Sequence, residues 1–235
     1  MYNVSEYLHT FERKKTMKNK LVSIADFVES IPNGASIMVG GFMNVGTPIG
    51  IIDEMLKTDV KDLTIICNDA GYPEEGVGKL IAAGKVKKLI ASHIGLNPVA
   101  GQKMAAEELE VELVPQGTLA ERILSAGKGL GGFYTPTGVG TIVEEGKEVK
   151  EINGVTYILE LPLKADFAIL LGNKVDKKGN IVYRLTTQNF NPLMATAATT
   201  VCVEAKELVE VGTLDPDKVH TQHIFIDYIV GGETA

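Results

Sequence analysis

Few side chains in this sequence combine the types and spacing that chemistry needs, and the most suggestive are polar residues closing apolar runs. Asn68 and Asp69 follow the run 63–67, and Gln116 follows the run 111–114. Side-chain amides suit the task of holding a carbonyl or an oxyanion, because they donate hydrogen bonds without changing charge. Asn and Asp also close turns freely, so Asn68-Asp69 carries a turn reading beside the oxyanion reading. Nucleophilic machinery is thin: there is no Gly-x-Ser-x-Gly elbow, and no serine has a matching histidine and acid. His93 closes the run 89–92, where a lone histidine is more often structural, and His220 and His223 form no recognisable site. Glu121 and Arg122 read as surface or ion-paired groups. The two cysteines and four histidines show no metal-ligand spacing.

A second constellation is the loop Gly40, Gly41, Phe42, Met43, Asn44, Val45 and Gly46. It follows the apolar run 37–39 and leads, after Pro48, into a helical pattern over 49–57. Glycines there permit positive φ and let a ligand approach main-chain amides without a Cβ in the way. A helix N-terminus beside the loop offers free N–H groups to an anionic guest. The spacing is neither the dinucleotide fingerprint nor a Walker loop. The layout therefore suits a phosphorylated or acylated ligand, with a tight ligand-free turn as the competing reading.

The elements that must position these residues alternate regularly. Short apolar runs at 37–39, 63–67, 89–92 and 111–114 read as strands. Helical patterns at 49–57, 78–83, 98–106 and 118–125 follow them in turn. Continuous apolar strands separated by helices predict an α/β fold with an open, mostly parallel sheet covered on both faces. Ligands of such sheets lie outside the carboxyl ends of the strands, where the loops at 40–46, 68–71 and 115–117 all fall. The glycine-rich stretch 127–140, with six glycines in 14 positions, is too rich in aromatics and threonines for a simple linker. Runs at 149–152 and 156–160 flank Asn153-Gly154, a strong hairpin signal. Runs at 167–171 and 181–183 flank Gly179-Asn180, and 199–204 and 224–230 supply late strands. These segments predict a β-rich insertion within one α/β domain.

Composition narrows the function classes. The chain has 235 residues, 45% hydrophobic and 23% charged, which suits one large domain. A net charge of −7 without a basic face argues against nucleic acid. Lys85, Lys87 and Lys88 read as the solvated end of a helix. No apolar run approaches the roughly 18 residues of a membrane helix, so no membrane partner is expected. Two cysteines far apart in sequence fit a reducing, cytoplasmic setting better than a disulfide framework. Residues 1–16 are polar and precede the more natural start Met17-Lys18-Asn19-Lys20. They read as an N-terminal extension, disordered or a start-site artefact, with the folded domain spanning 17–235.

Several blocks then resemble one family, the family I (3-oxoacid type) coenzyme A transferases, in their alpha subunit. They are Gly40-Gly41-Phe42-x3-Gly46-x-Pro48, Cys67-Asn68-Asp69-Ala70-Gly71, Pro115-Gln116-Gly117-Thr118-Leu119-Ala120-Glu121-Arg122 and Gly131-Gly132-Phe133-Tyr134-Thr135-Pro136-Thr137-Gly138. Glu160-Leu161-Pro162-Leu163-Lys164-Ala165-Asp166 and Asn189-Phe190-Asn191-Pro192-Leu193-Met194-Ala195 continue the resemblance in the same order. Within the family, the transferases that act on acetate, butyrate and acetoacetate resemble the chain most.

The resemblance implies an α/β fold related to that of sugar-phosphate isomerases and deaminases. It implies coenzyme A and acyl-CoA as substrates with no tightly bound cofactor, and a short-chain carboxylate as acceptor. It also implies a beta partner, in a heterodimer or an α2β2 tetramer. The family's nucleophile is a glutamate in a Ser-Glu-Asn-Gly motif, which is absent here; the resemblance places it on the beta subunit and leaves no catalytic nucleophile in this chain. It further assigns residues 40–46 to coenzyme A, and Asn68, Asp69 and Gln116 to pocket support. Asp69 stands where succinate-specific relatives have Asn, which favours a monocarboxylate. Thr221-Gln222-His223 stands where relatives have Thr-Pro-Gly, a difference of local packing. Two competing readings are an acyl-CoA-binding or scaffold protein without transferase activity and a sugar-phosphate isomerase.

Overall fold

The computed structural model describes residues 19–234, so the segment 1–16 lies outside the described residues. Strands β1 (Ser36–Val39), β2 (Leu63–Ile66), β3 (Val86–Ala91) and β4 (Glu110–Leu113) form one half of a parallel sheet. A long strand, β8 (Ala165–Asp176), lies on the other side of β1, followed by β10 (Ala198–Val209) and β11 (Tyr228–Thr234). The spatial order is β11-β10-β8-β1-β2-β3-β4, all pairs parallel. A short antiparallel strand, β9 (Ile181–Val182), hangs off β8. The chain thus winds outward from β1 through β2, while β8 and β10 extend the sheet the opposite way. The boundary between β1 and β8 is a switch point, the place where open α/β sheets bind ligands.

The apolar runs follow from burial on both faces. Ile37, Ile65 and Leu89 point into one core layer. Helices α1 (Ile24–Glu29), α2 (Ile49–Lys57), α3 (Val77–Ala82) and α4 (Pro98–Ala105) help build that layer. Met38, Ile66 and Ile90 point into the other, beneath α5 (Gln116–Lys128) and α6 (Asn191–Met194). Within α2, Ile51, Ile52 and Met55 are fully buried, each contributing on the order of 1.5–3 kcal/mol.

The insertion between α5 and β8 is a three-stranded antiparallel sheet, β5 (Phe133–Thr135), β7 (Val155–Glu160) and β6 (Val149–Ile152), in the order β5-β7-β6. Asn153 (φ +53°) and Gly154 (φ +76°) form the expected β6–β7 turn. Glu160, buried at 2% exposure, pairs with Lys147 inside the insertion, and Arg122 of α5 ties the sheet to the body, its Nε 3.9 Å from Glu160 Oε2 and donating to the Leu161 carbonyl at 3.0 Å.

Some expectations need correction. Lys87 and Lys88 lie on β3 rather than at a helix end, because Lys88 pairs with Glu110 and Glu112 of the neighbouring β4. The strand expected at 224–230 begins at Tyr228, since His223–Phe225 form a 3-10 turn. The stretch expected as a strand over 167–171 extends to Ala165–Asp176. Its interior glycine, Gly172, packs against Val175, Ile181 and Val203 rather than breaking it. The short helix Ile24–Glu29 carries too little periodicity to be read from sequence; Ser23 caps it by accepting from the Asp26 N–H at 3.0 Å.

Candidate functional site

The loops after β1, β2 and β4 meet at the carboxyl edge of the sheet. Asp69 joins the first two: its Oδ2 accepts from the Met43 N–H at 2.9 Å and from Asn68 Nδ2 at 2.7 Å. Its Oδ1 accepts from the Gly71 N–H at 2.9 Å. Gln116, at the start of α5, donates from Nε2 to Asn68 Oδ1 at 2.6 Å and accepts at Oε1 from Ser92. The structure therefore brings Asn68, Asp69 and Gln116 into one hydrogen-bonded cluster. Asn68 and Asp69 are buried at 2% and 8% exposure, and Gln116 is exposed. Turn geometry and cluster membership coexist at Asn68-Asp69.

The 40–46 loop is a miniature hairpin. Phe42 and Val45 exchange backbone hydrogen bonds of 3.1 and 2.9 Å. Between them Met43 (φ +47°) and Asn44 (φ +63°) occupy the left-handed region of a tight reverse turn. Phe42 and Val45 are each 46% exposed, so the tip presents apolar surface. A Cβ on Gly40 would lie 1.9 Å from Asn191 Oδ1, and one on Gly41 2.0 Å from Thr47 Oγ1. The glycines are required by close packing within the chain itself, a need that sequence alone does not separate from a need to admit a ligand. The space enclosed beneath the loop is about 10 Å³, room for one water molecule and far too little for an acyl group.

The expectation of free N–H groups at the N-terminus of α2 is overturned. Gly50 N–H and Ile51 N–H donate to the two carboxylate oxygens of Glu204 on β10, at 3.1 and 2.9 Å. Burial pushes the Glu204 carboxyl above its ordinary range, and these two N–H groups pull it back. The helix dipole is already met by an internal carboxylate. Glu204→Ala should therefore cost about 1 kcal/mol, a drop of roughly 2–4 °C in the thermal midpoint. Ligand affinity at the neighbouring loops should stay unchanged. A several-fold loss of affinity with no change in midpoint would return this helix end to the ligand site.

Residues to which the sequence assigned no role hold the site together. Asn191, fully buried, donates from Nδ2 to the Gly46 and Thr187 carbonyls at 3.0 and 2.8 Å and accepts from the Leu171 N–H at 3.1 Å. Asn189 accepts from the Gly41 N–H at 3.2 Å and donates to the Val45 carbonyl at 2.8 Å. Together they clamp the loop from the β8 side of the switch point. Asn97 caps α4 by accepting from the Ala100 N–H at 3.0 Å and fixes the 68–71 loop by donating to the Ala70 carbonyl at 2.9 Å. Asn189 and Asn191 stood in a block of the family resemblance, and Asn97-Pro98 and Asn191-Pro192 set asparagine beside proline, a pattern that marks turns without naming their partners.

Nucleophiles remain scarce. Cys67, at the end of β2, is buried, and burial with the nearby Asp69 carboxylate pushes its thiol well up, which disfavours the thiolate. His93 is exposed and contributes its carbonyl to the Ala70 N–H at 3.0 Å. His220 accepts at Nδ1 from the Tyr183 N–H, away from the cluster. Thr221 is buried against Tyr183, its hydroxyl 3.0 Å from the Tyr183 hydroxyl, consistent with a packing role. No group of three or more His, Cys, Asp or Glu among the described residues could hold a metal ion, and no helix among them is long and apolar enough to cross a membrane.

Comparison with known proteins matches residues 21–232 to the family model described as coenzyme A transferase. The chain is 50% identical over 214 residues to the acetate CoA-transferase subunit alpha of Escherichia coli K12, covering 91% of this chain and 97% of that one. It is 51% identical over 214 residues to the acetoacetyl-CoA:acetate/butyrate CoA transferase alpha subunit of Clostridium acetobutylicum, covering 91% and 98%. Among solved structures it superposes on the acyl-CoA transferase YdiF of E. coli O157:H7 with a TM-score of 0.78 at 20% identity. That match covers 91% of this chain and 47% of the solved one, so the chain spans about half the length of that protein. At this identity the likeness shows the fold.

Proposed function

We propose, for a chain that belongs to the coenzyme A transferase family, that it is the alpha subunit of a heteromeric enzyme exchanging coenzyme A between a short-chain acyl-CoA and a carboxylate. The observation that carries this reading is the polar cluster at an open sheet edge, beside which the described residues place no activated nucleophile. Such an edge supplies donors and a binding surface and needs a second chain to react. The full assignment takes residues 17–235 as one alpha-subunit domain in the cytoplasm, with coenzyme A on the outer face of the 40–46 hairpin.

The chemistry follows from that division. A glutamate carboxylate of the beta subunit attacks the thioester carbonyl, and the CoA thiolate leaves an acyl-glutamyl anhydride. The thiolate then attacks the glutamyl carbonyl, releasing the first carboxylate and leaving a glutamyl-CoA thioester. An incoming carboxylate reverses both steps. Each addition puts negative charge on a carbonyl oxygen, where the second Nε2 proton of Gln116 serves as a donor held in place by Asn68. Splitting one difficult exchange into several acyl transfers is covalent catalysis.

Asp69 bears on the choice of acid. Its carboxylate lies within the cluster, where a second substrate carboxylate would meet like charge at reduced dielectric. Acetate, butyrate and acetoacetate avoid that cost and succinate does not. Asp69→Asn should raise kcat/KM for succinate relative to acetate by roughly tenfold, about 1.4 kcal/mol. Measuring the ratio cancels any general loss from disturbing the cluster. An unchanged ratio removes Asp69 from specificity.

The deciding experiment co-expresses the chain with a beta-type partner and assays transfer of CoA from acetyl-CoA to acetoacetate and to butyrate. Exchange by the pair and none by this chain alone is the expected result. Robust transfer by this chain alone defeats the half-enzyme reading, and acyl-CoA binding without transfer by the pair favours the scaffold reading.

A further inference from the structure

The site's hydrogen bonds run in one direction, and a residue outside the motifs closes the run. Asp69 is a pure acceptor: its carboxylate takes the Met43, Gly71 and Asn68 donors. Asn68 must therefore turn its Nδ2 toward Asp69, since the flipped amide would set oxygen against oxygen. That orientation presents Asn68 Oδ1 to Gln116, which must answer with Nε2, as it does at 2.6 Å. Gln116 Oε1 is then left pointing at a group that has to donate, and that group is the Ser92 hydroxyl at the end of β3. The hydroxyl's single proton also faces the Asn68 carbonyl at 2.8 Å, but that carbonyl already accepts from the Ser92 N–H at 3.0 Å, which leaves the hydroxyl proton for Gln116 Oε1.

We infer that Ser92 is a positioning residue for the transfer reaction, holding the Gln116 amide so that an Nε2 proton remains available to the substrate carbonyl. The argument rests on the function proposed above. Gln116 is exposed, and nothing among its hydrogen bonds other than Ser92 and Asn68 fixes its amide. One amide proton goes to Asn68, and the second has no partner among the described residues. Without Ser92 the amide loses its Oε1 anchor, and the free proton is no longer held at one place. The relay also couples the Asp69 charge to the donor, because aligned hydrogen bonds polarise one another.

The test uses the αβ complex and reads kcat and KM separately. Ser92→Ala should lower kcat roughly tenfold, less than the ~100-fold that a 1 Å misplacement can cost. KM should stay within about twofold and the thermal midpoint within about 2 °C, as for a small change at a partly exposed position. Ser92→Thr, which keeps the hydroxyl, should restore at least half of kcat. Because Ser92 acts through Gln116, the double variant S92A/Q116A should be no slower than Q116A. A Ser92→Ala enzyme with full kcat beside a slow Q116A overturns the relay and leaves the site intact. Losses that multiply in the double variant also overturn it. Should Q116A itself keep full kcat, the site reading fails, and the relay is then judged by NMR on the full chain. The Gln116 side-chain amide resonance should shift on both Ser92→Ala and Asp69→Asn, and an unmoved resonance refutes it.

Discussion

Asn191→Ala should lower the thermal midpoint by roughly 4–16 °C and abolish most CoA transfer in the reconstituted enzyme. Asn191 is fully buried and makes three hydrogen bonds, to the Gly46 and Thr187 carbonyls and from the Leu171 N–H. Truncation strands these backbone groups away from water, at about 1–3 kcal/mol for an unsatisfied donor or acceptor. A total of about 2–4 kcal/mol translates into the stated shift at about 2–4 °C per kcal/mol for a domain of this size. Activity falls because Asn191 Oδ1 also packs where a Gly40 side chain would sit, so its loss frees the hairpin root. Asn191→Asp separates volume from hydrogen bonding. A carboxylate fills the site but cannot donate to either carbonyl, so it should be about as unstable as the alanine variant. Differential scanning calorimetry on both chains decides this: a midpoint within about 2 °C of the parent removes Asn191 from the loop's support.

Gln116→Ala should show the opposite profile, with kcat down about 100-fold or more and stability almost untouched. The kinetic figure is the usual consequence of removing one oxyanion donor, about 10²–10³ in kcat. The stability figure follows from exposure: the side chain is solvated and its backbone lies in the first turn of α5. A change at such a position lies within about 0.5 kcal/mol. KM for acyl-CoA should hold, because the amide is proposed to meet charge that develops only during reaction. Equal proportional losses in kcat and stability would make Gln116 a structural strut of the β2 and β4 loops.

The pair of variants tests the two levels at which the site is built. Asn191 and Asn189 reach the loop from the β8 side of the sheet, more than a hundred residues later in the chain. Asn68, Asp69 and Gln116 reach it from the β2 and β4 side. The switch point between β1 and β8 is where the two sets meet, and the apolar tip of Phe42 and Val45 stands above it.

The central architecture was legible because burial on both faces writes itself into local sequence. Ile37-Met38-Val39, Ile65-Ile66 and Leu89-Ile90 are apolar without alternation, since each strand feeds both core layers. The candidate loops were legible for the same reason: polar residues must appear where a buried strand ends. The sequence also determined the fold class and the β-rich insertion, and its resemblance to the coenzyme A transferases implied a second chain. Only the tertiary structure decided which groups satisfy one another. That Glu204 rather than a ligand meets the N-terminus of α2, that Gly40 is glycine because of Asn191, and that Ser92 completes the amide relay all depend on contacts between distant segments. Hydrogen-bond partners across a sheet edge carry no periodicity. A backbone N–H donates to a carboxylate of its own chain as readily as to one of a ligand, and only the tertiary structure distinguishes the two.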